Sequence, residues 1–211
     1  MTTLIRPRWA ARAAALGTAS LLAAVALAGL SGPASADTLI HAKYKVTGST
    51  YLAGPGFTLA LGPGTLSSTL DASTGKLTAE LSMPEATGSF TQFGVIPVTA
   101  TTQFINDGPT TGKLNLNTGA VSTTSRITLR IVSLTVAGIP IPVGNSCQTG
   151  TPAVVRLKSE RGFNVLAGGN LAGSYAIPSF SHCGLATPLI NLTIPATDNT
   201  IALKLGKAKL G

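Results

Sequence analysis

Lys76-Leu77-Thr78-Ala79-Glu80-Leu81-Ser82-Met83 alternates without a break. Leu77, Ala79, Leu81 and Met83 fall on one side of an extended chain, and Lys76, Thr78, Glu80 and Ser82 on the other. That is the period of a strand with one face in a core. Pro84 ends it, because proline cannot donate to a ladder. Upstream, Leu66, Ser68 and Leu70 keep the same spacing, and Asp71-Ala72-Ser73-Thr74-Gly75 supplies a turn whose glycine suits a left-handed backbone. Residues 66–83 therefore read as a β-hairpin.

The device recurs. Leu70-Asp71-Ala72-Ser73-Thr74-Gly75-Lys76-Leu77 aligns with Leu114-Asn115-Leu116-Asn117-Thr118-Gly119-Ala120-Val121, 44 residues later. Two copies are too few for a solenoid, so they read as two hairpins of one domain. Further strands follow from the same alternation. In 38–46, Ile40, Ala42, Tyr44 and Val46 share a face opposite His41, Lys43 and Lys45. Segments 89–96 and 98–105 flank Pro97, and Ile127, Leu129 and Ile131 oppose Arg126, Thr128 and Arg130. Val155 and Leu157 oppose Arg156 and Lys158; Ile190, Leu192 and Ile194 oppose Asn191 and Thr193; Ile201, Leu203 and Leu205 come last. Gly54-Pro55-Gly56 and Gly62-Pro63-Gly64 read as turns. Glycine or proline interrupts nearly every window of helical length, and no amphipathic helix is expected. The expected fold is all-β: one antiparallel β-sandwich, or barrel-like, domain. The strands pause at 138–145, which we read as a loop inside one fold and as the candidate subdivision if there are two.

Before these strands, residues 1–36 read as a secretory signal peptide. Arg6, Arg8 and Arg12 form a positive leading segment, 13–30 is apolar, and Ala34-Ser35-Ala36 suits cleavage between Ala36 and Asp37. Pro7 separates the first two arginines, so the paired arginines of a twin-arginine signal are missing. A membrane anchor is the competing reading of so apolar a stretch, and Pro33 with the small-residue site favours cleavage. The expected product is a secreted β-domain, 37–211, released or loosely held at the cell envelope, with no membrane span of its own. Cleavage lowers the net charge from +8 to +5 and removes Trp9, the sole tryptophan.

Cys147 and Cys183 are the only cysteines. An even count in an exported chain points to a disulfide. A zinc site would ask for close-spaced pairs, which these are not.

Catalytic chemistry is hard to find. His41 sits on the polar face of the first strand, and His182 adjoins Cys183, whose sulfur the bridge would consume. The carboxylates Asp71, Glu80, Glu85, Asp107, Glu160 and Asp198 are dispersed over turns and polar faces, leaving a hydrolase with two carboxylates across a cleft as a remote alternative. Asp71-Ala72-Ser73-Thr74-Gly75 has one carboxylate where calcium loops use several. The glycine-proline motifs lack the strand-to-helix context of a phosphate cradle. Scattered charge without aromatic interleaving argues against nucleic-acid binding. No catalytic, metal or cofactor residue is assigned.

Several motifs resemble an uncharacterised family of secreted actinobacterial β-rich proteins. They are Gly138-Ile139-Pro140, Cys147-Gln148-Thr149, Gly168-Gly169, Leu171-Ala172-Gly173-Ser174-Tyr175, Ile177-Pro178, Phe180, Cys183-Gly184, Thr187-Pro188-Leu189-Ile190-Asn191 and Asn199-Thr200-Ile201. The resemblance spans about 113–205. It implies an exported β-domain with a paired-cysteine C-terminal half and no known activity. The functional expectation is a non-enzymatic protein acting by binding or structural association at the cell surface or in the medium. A small apolar ligand between its strands is the first candidate. A polysaccharide or protein adhesion module of the envelope is the alternative, with the loops at 54–64 and 138–145 as its candidate surface.

Overall fold

The alternation that marks 76–83 runs along the inward positions of eight strands that close on themselves. The computed structural model describes residues 38–211, so the leader read at 1–36 and its cleavage point at Ala36 and Asp37 lie outside the described residues. No helix among the described residues is long and apolar enough to cross a membrane.

The first strands are β1 (Leu39–Leu52), β2 (Phe57–Asp71), β3 (Lys76–Ser82), β4 (Ala86–Gln92), β5 (Ile96–Asn106), β6 (Thr110–Leu114) and β7 (Val121–Val136). Next come β8 (Ile139–Pro140), β9 (Gln148–Thr149), β10 (Ala153–Ser159), β11 (Gly169–Ile177) and β12 (Phe180–Ser181). A short helix, α1 (Thr187–Thr193), precedes β13 (Ala196–Leu205) and β14 (Lys209–Leu210).

Strands β1, β2, β3, β6, β7, β10, β11 and β13 pair antiparallel in chain order, and β13 returns to β1. The result is an up-and-down barrel with three insertions. Its register can be walked: Ile40 pairs with Leu70, then Leu77, Gly112, Thr123, Leu157, Gly173, Ile201 and finally Thr50. One circuit therefore climbs from position 40 to position 50 of β1, a shear of ten residues. With eight strands and ordinary strand spacing, that shear tilts the strands by about 40° from the barrel axis.

The two ends of the barrel differ. At one end the strands are joined by the turns at 71–75 and 115–120 and the loop at 160–168, and the C-terminal residues 206–211 finish there. The other end carries every insertion. There β7 runs past the barrel and takes β5 along 127–136, with β4 on the outer edge of β5. This second layer lies over the far halves of β1 and β2: Phe57 and Phe90 stack at 5.3 Å, and a side chain at Gly88 would strike Phe57 and Leu59. The molecule is thus a barrel at one end and a sandwich at the other.

The Cys147–Cys183 disulfide clasps two of the insertions. Both cysteines are fully buried, and beside them Thr149 pairs with Phe180 and Gln148 with Ser181. Asn199, also fully buried, ties the same end together. Its Oδ1 accepts from the Ala53 amide, while its Nδ2 donates to the Tyr175 and Ala196 carbonyls.

Three local expectations are corrected. Residues 190–194 do not form a strand. Pro188 stands in the first turn of α1, where its missing N–H costs nothing, and the Asn191 amide group bonds both the Phe180 N–H and carbonyl as a strand partner would. The strands expected to part at Pro97 part at 93–95 instead, and Pro97 lies inside β5. Gly62-Pro63-Gly64 is no turn but the middle of β2. It sits opposite a register shift between Val46 and Gly48, a bulge that leaves proline without a ladder bond to make.

The paired turns seen in the sequence are the same structure. Asp71 Oδ1 accepts from the Ser73 and Thr74 amides, and Asn115 Oδ1 accepts from those of Asn117 and Thr118. Gly75 and Gly119 then take φ of 71° and 72°. A third copy, unread in the sequence, stands at Asn164: its Oδ1 accepts from the Leu166 and Ala167 amides, and Gly168 has φ 84°. All three lie at the plain end.

Two outcomes are expected. Replacing both cysteines by alanine should lower stability by about 4 kcal/mol on the chain-entropy estimate for a loop of this length, read from urea unfolding, with the far-UV spectrum of the barrel kept. Hydrogen bonds from Ser73 and Thr74 hold the Asp71 carboxyl well below the usual carboxylate range. Its contribution is therefore complete above the ordinary Asp pKa of about 4 and is lost as the pH falls below it. Asp71→Asn keeps the acceptor oxygen used at Asn115 and Asn164. Thermal melts of this variant should lie below the parent at neutral pH, because the charge and the acceptor for the Thr74 hydroxyl are lost, and should lose less midpoint than the parent on acidification; equal losses would remove the role assigned to the charge.

Candidate functional site

The inward positions of the barrel are not all large. Ala42, Ser68, Ala79 and Thr110 occupy one register row across β1, β2, β3 and β6. Thr110 and Ser125 then bond hydroxyl to hydroxyl at 2.8 Å on the neighbouring wall. Small side chains side by side on four adjacent strands cannot fill the lumen, and a cavity of about 250 Å³ remains at the plain end. Its other walls are apolar, among them Ile40, Val46, Leu70, Leu77, Leu157 and Leu203. Deeper in, Leu61, Met83, Ile127, Val155 and Ile201 are large enough to leave only about 50 Å³.

A cap half covers the opening. Phe163, Val165 and Leu166 of the third turn line the cavity from above. Tyr44 secures them by donating its hydroxyl to the Val165 carbonyl at 2.8 Å, and the Ala208 amide donates to the Leu166 carbonyl at 2.9 Å. Leu210 of β14, opposite Ala42, completes the rim. Leu166 and Leu210 both line the cavity and face solvent, 54% and 63% exposed.

Four of the five hydroxyls inside, all but that of Thr123, are already engaged. Ser68 Oγ donates to the Ala42 carbonyl at 3.3 Å, Thr110 and Ser125 hold each other, and Tyr44 holds the cap. Burial pushes the Tyr44 hydroxyl above its ordinary value, against a smaller opposing effect of Ser68, so it stays a neutral donor. Among the described residues, no carboxylate, histidine, lysine or arginine lines the cavity. Such a lining suits an uncharged apolar molecule.

The residues singled out in the sequence fall elsewhere. His41 is exposed and bonds Thr69 Oγ1 at 3.1 Å; His182 is exposed in a left-handed backbone conformation beside the disulfide. Glu80, Glu85, Glu160 and Asp198 are exposed, and Asp107 pairs with Arg126 at 2.9 Å. Among the described residues, no three His, Cys, Asp or Glu side chains cluster as metal ligands would. Of the cavity itself, Ala42, Ser68 and Ala79 were legible as small residues on inward faces of three consecutive strands. Thr110, Thr123 and Ser125 were not, because a hydroxyl residue in an alternating strand normally marks the outer face.

Comparison with known proteins gives no matching family model, no similar curated protein and no similar solved structure.

Proposed function

We propose that this chain is an exported, non-enzymatic β-barrel protein that binds a small, uncharged apolar molecule in its lumen. The observation that carries the proposal is the apolar cavity walled by Ala42, Ser68, Ala79 and Thr110 beneath a leucine rim. Its volume of about 250 Å³ exceeds the roughly 150 Å³ of an engineered cavity that takes up benzene, so roughly ten non-hydrogen atoms fit by proportion. Left unfilled, an apolar space of that size forgoes the packing contacts that larger side chains would make. A chain selected for stability alone would close it with larger side chains on β2 and β3.

Export is supported by the leader and by the buried disulfide, a bond that persists in oxidising compartments. Binding rather than catalysis is supported by the lining, whose one ionisable group, Tyr44, holds the cap in place.

Naphthalene, with ten carbons, is a suitable probe. Its fluorescence should report saturable binding of one molecule per chain, and organic extracts of protein from its native host should yield one recurrent apolar compound. Ala79→Leu adds about three carbons to the void. It should raise stability by about 2 kcal/mol, or the melting temperature by about 6 °C, and weaken naphthalene binding. A packed interior would give the reverse, a loss of about 1 to 3 kcal/mol from overpacking, and would overturn the proposal.

A further inference from the structure

We propose that the plain end of the barrel docks on an anionic phospholipid bilayer, placing the cavity mouth against the lipid so that the ligand enters from the membrane. Entry rests on the binding function proposed above; docking stands on independent observations.

The first is charge. At this end Lys76 lies directly opposite Lys113 across β3 and β6, and Lys43 directly opposite Lys209 across β1 and β14. Like charges in facing positions of a sheet destabilise it, and two such pairs flank one opening. Lys158 extends the first row, one strand beyond Ser122, and Arg161 sits in the cap loop. Asp71, Glu80 and Glu160 oppose them here: Glu80 stands one strand beyond Ser67 from Lys43, and Asp71 is occupied by its own turn. No ion pair forms: the ion pair found among the described residues, Arg126 with Asp107, belongs to the far end. An anionic surface would relieve this repulsion, each lysine or arginine near it strengthening attachment by about fivefold.

The second is the apolar rim among those charges. Leu39, Leu116, Leu166 and Leu210 are each more than half exposed, and Leu116 stands in the 115–119 turn beside Gly75 and Lys113. Leucines ringed by lysines match a lipid interface, where the apolar groups enter and the ammonium groups stay at the headgroups. A soluble polyanion or a wall polymer would satisfy the lysines and leave the leucines in water.

Residues 38–211 hold the whole closed sheet and its core, so this β-domain is the protein to test. It should co-sediment with vesicles containing phosphatidylglycerol and not with pure phosphatidylcholine, and raising the salt from about 0.05 to about 0.5 M should release it. Lys76→Gln, Lys113→Gln and Lys158→Gln together should weaken vesicle binding by about a hundredfold. Leu39→Ser with Leu116→Ser should also weaken it. None of these residues lines the cavity, so naphthalene binding without vesicles should be unchanged in both variants, which also shows that they fold. Equal binding to neutral vesicles would overturn the docking. So would retention on a soluble polyphosphate that ignores the leucine changes, or loss of vesicle binding through Phe93→Ser with Val95→Ser at the opposite end. Vesicle binding without naphthalene binding would overturn the cavity function and leave the docking intact.

Discussion

The pairing of the last long strand with the first governs the rest of this molecule. Val46 through Tyr51 of β1 bond to Leu205 through Thr200 of β13, and that ladder converts an eight-strand meander into a ring without open edges. Closure fixes three things together: the shear of ten residues, the strand tilt, and which alternate residue of every strand faces inward. A slip of one residue would turn Ala42, Tyr44 and Val46 outward and their lysine neighbours into the lumen.

A ring of this size must be filled from within, and it is filled unevenly. Toward the insertions, large side chains meet and the second layer of β4, β5 and β7 adds a sandwich core, with Phe57 against Phe90. Toward the plain end, small residues stand side by side on four adjacent strands and the lumen stays open. The same polarity governs covalent and polar reinforcement. The disulfide and the Asn199 bracket lie among the insertions, whereas the plain end is held by three short turns and the Tyr44 hydrogen bond to its cap. The end that offers access is the one with the lighter fastening, as an entrance requires.

Much of the barrel could be read from alternation alone, since strands such as β3 have one wet and one dry face. The reading faltered where a tertiary partner replaced a local rule. Residues 190–194 alternate like a strand, but Asn191 serves as the hydrogen-bonding partner of Phe180, and the chain there winds into a helix instead. Gly62-Pro63-Gly64 has turn composition, yet the strand passes through it because Gly62 and Pro63 together stand opposite Thr47, a bulge in β2 that asks no ladder bond of the proline. The third turn is hidden in the sequence because Asn164-Val165-Leu166-Ala167-Gly168 carries Leu166 and Ala167 where its counterparts carry Ser73-Thr74 and Asn117-Thr118. Val165 and Leu166 line the cavity, so the turn and the cap are one element.

By itself the sequence determined the all-β class, the hairpin turns with their left-handed glycines, and the faces of most strands. These depend on neighbours two to five residues away. Only the tertiary structure decided that the strands close, that Cys147 and Cys183 bind two insertions to each other, and that Ala42, Ser68, Ala79 and Thr110 meet in one row. The physical reason is that a cavity is the absence of side chains contributed by distant strands. No single strand shows whether the small residue it presents will meet a large one across the lumen or another small one.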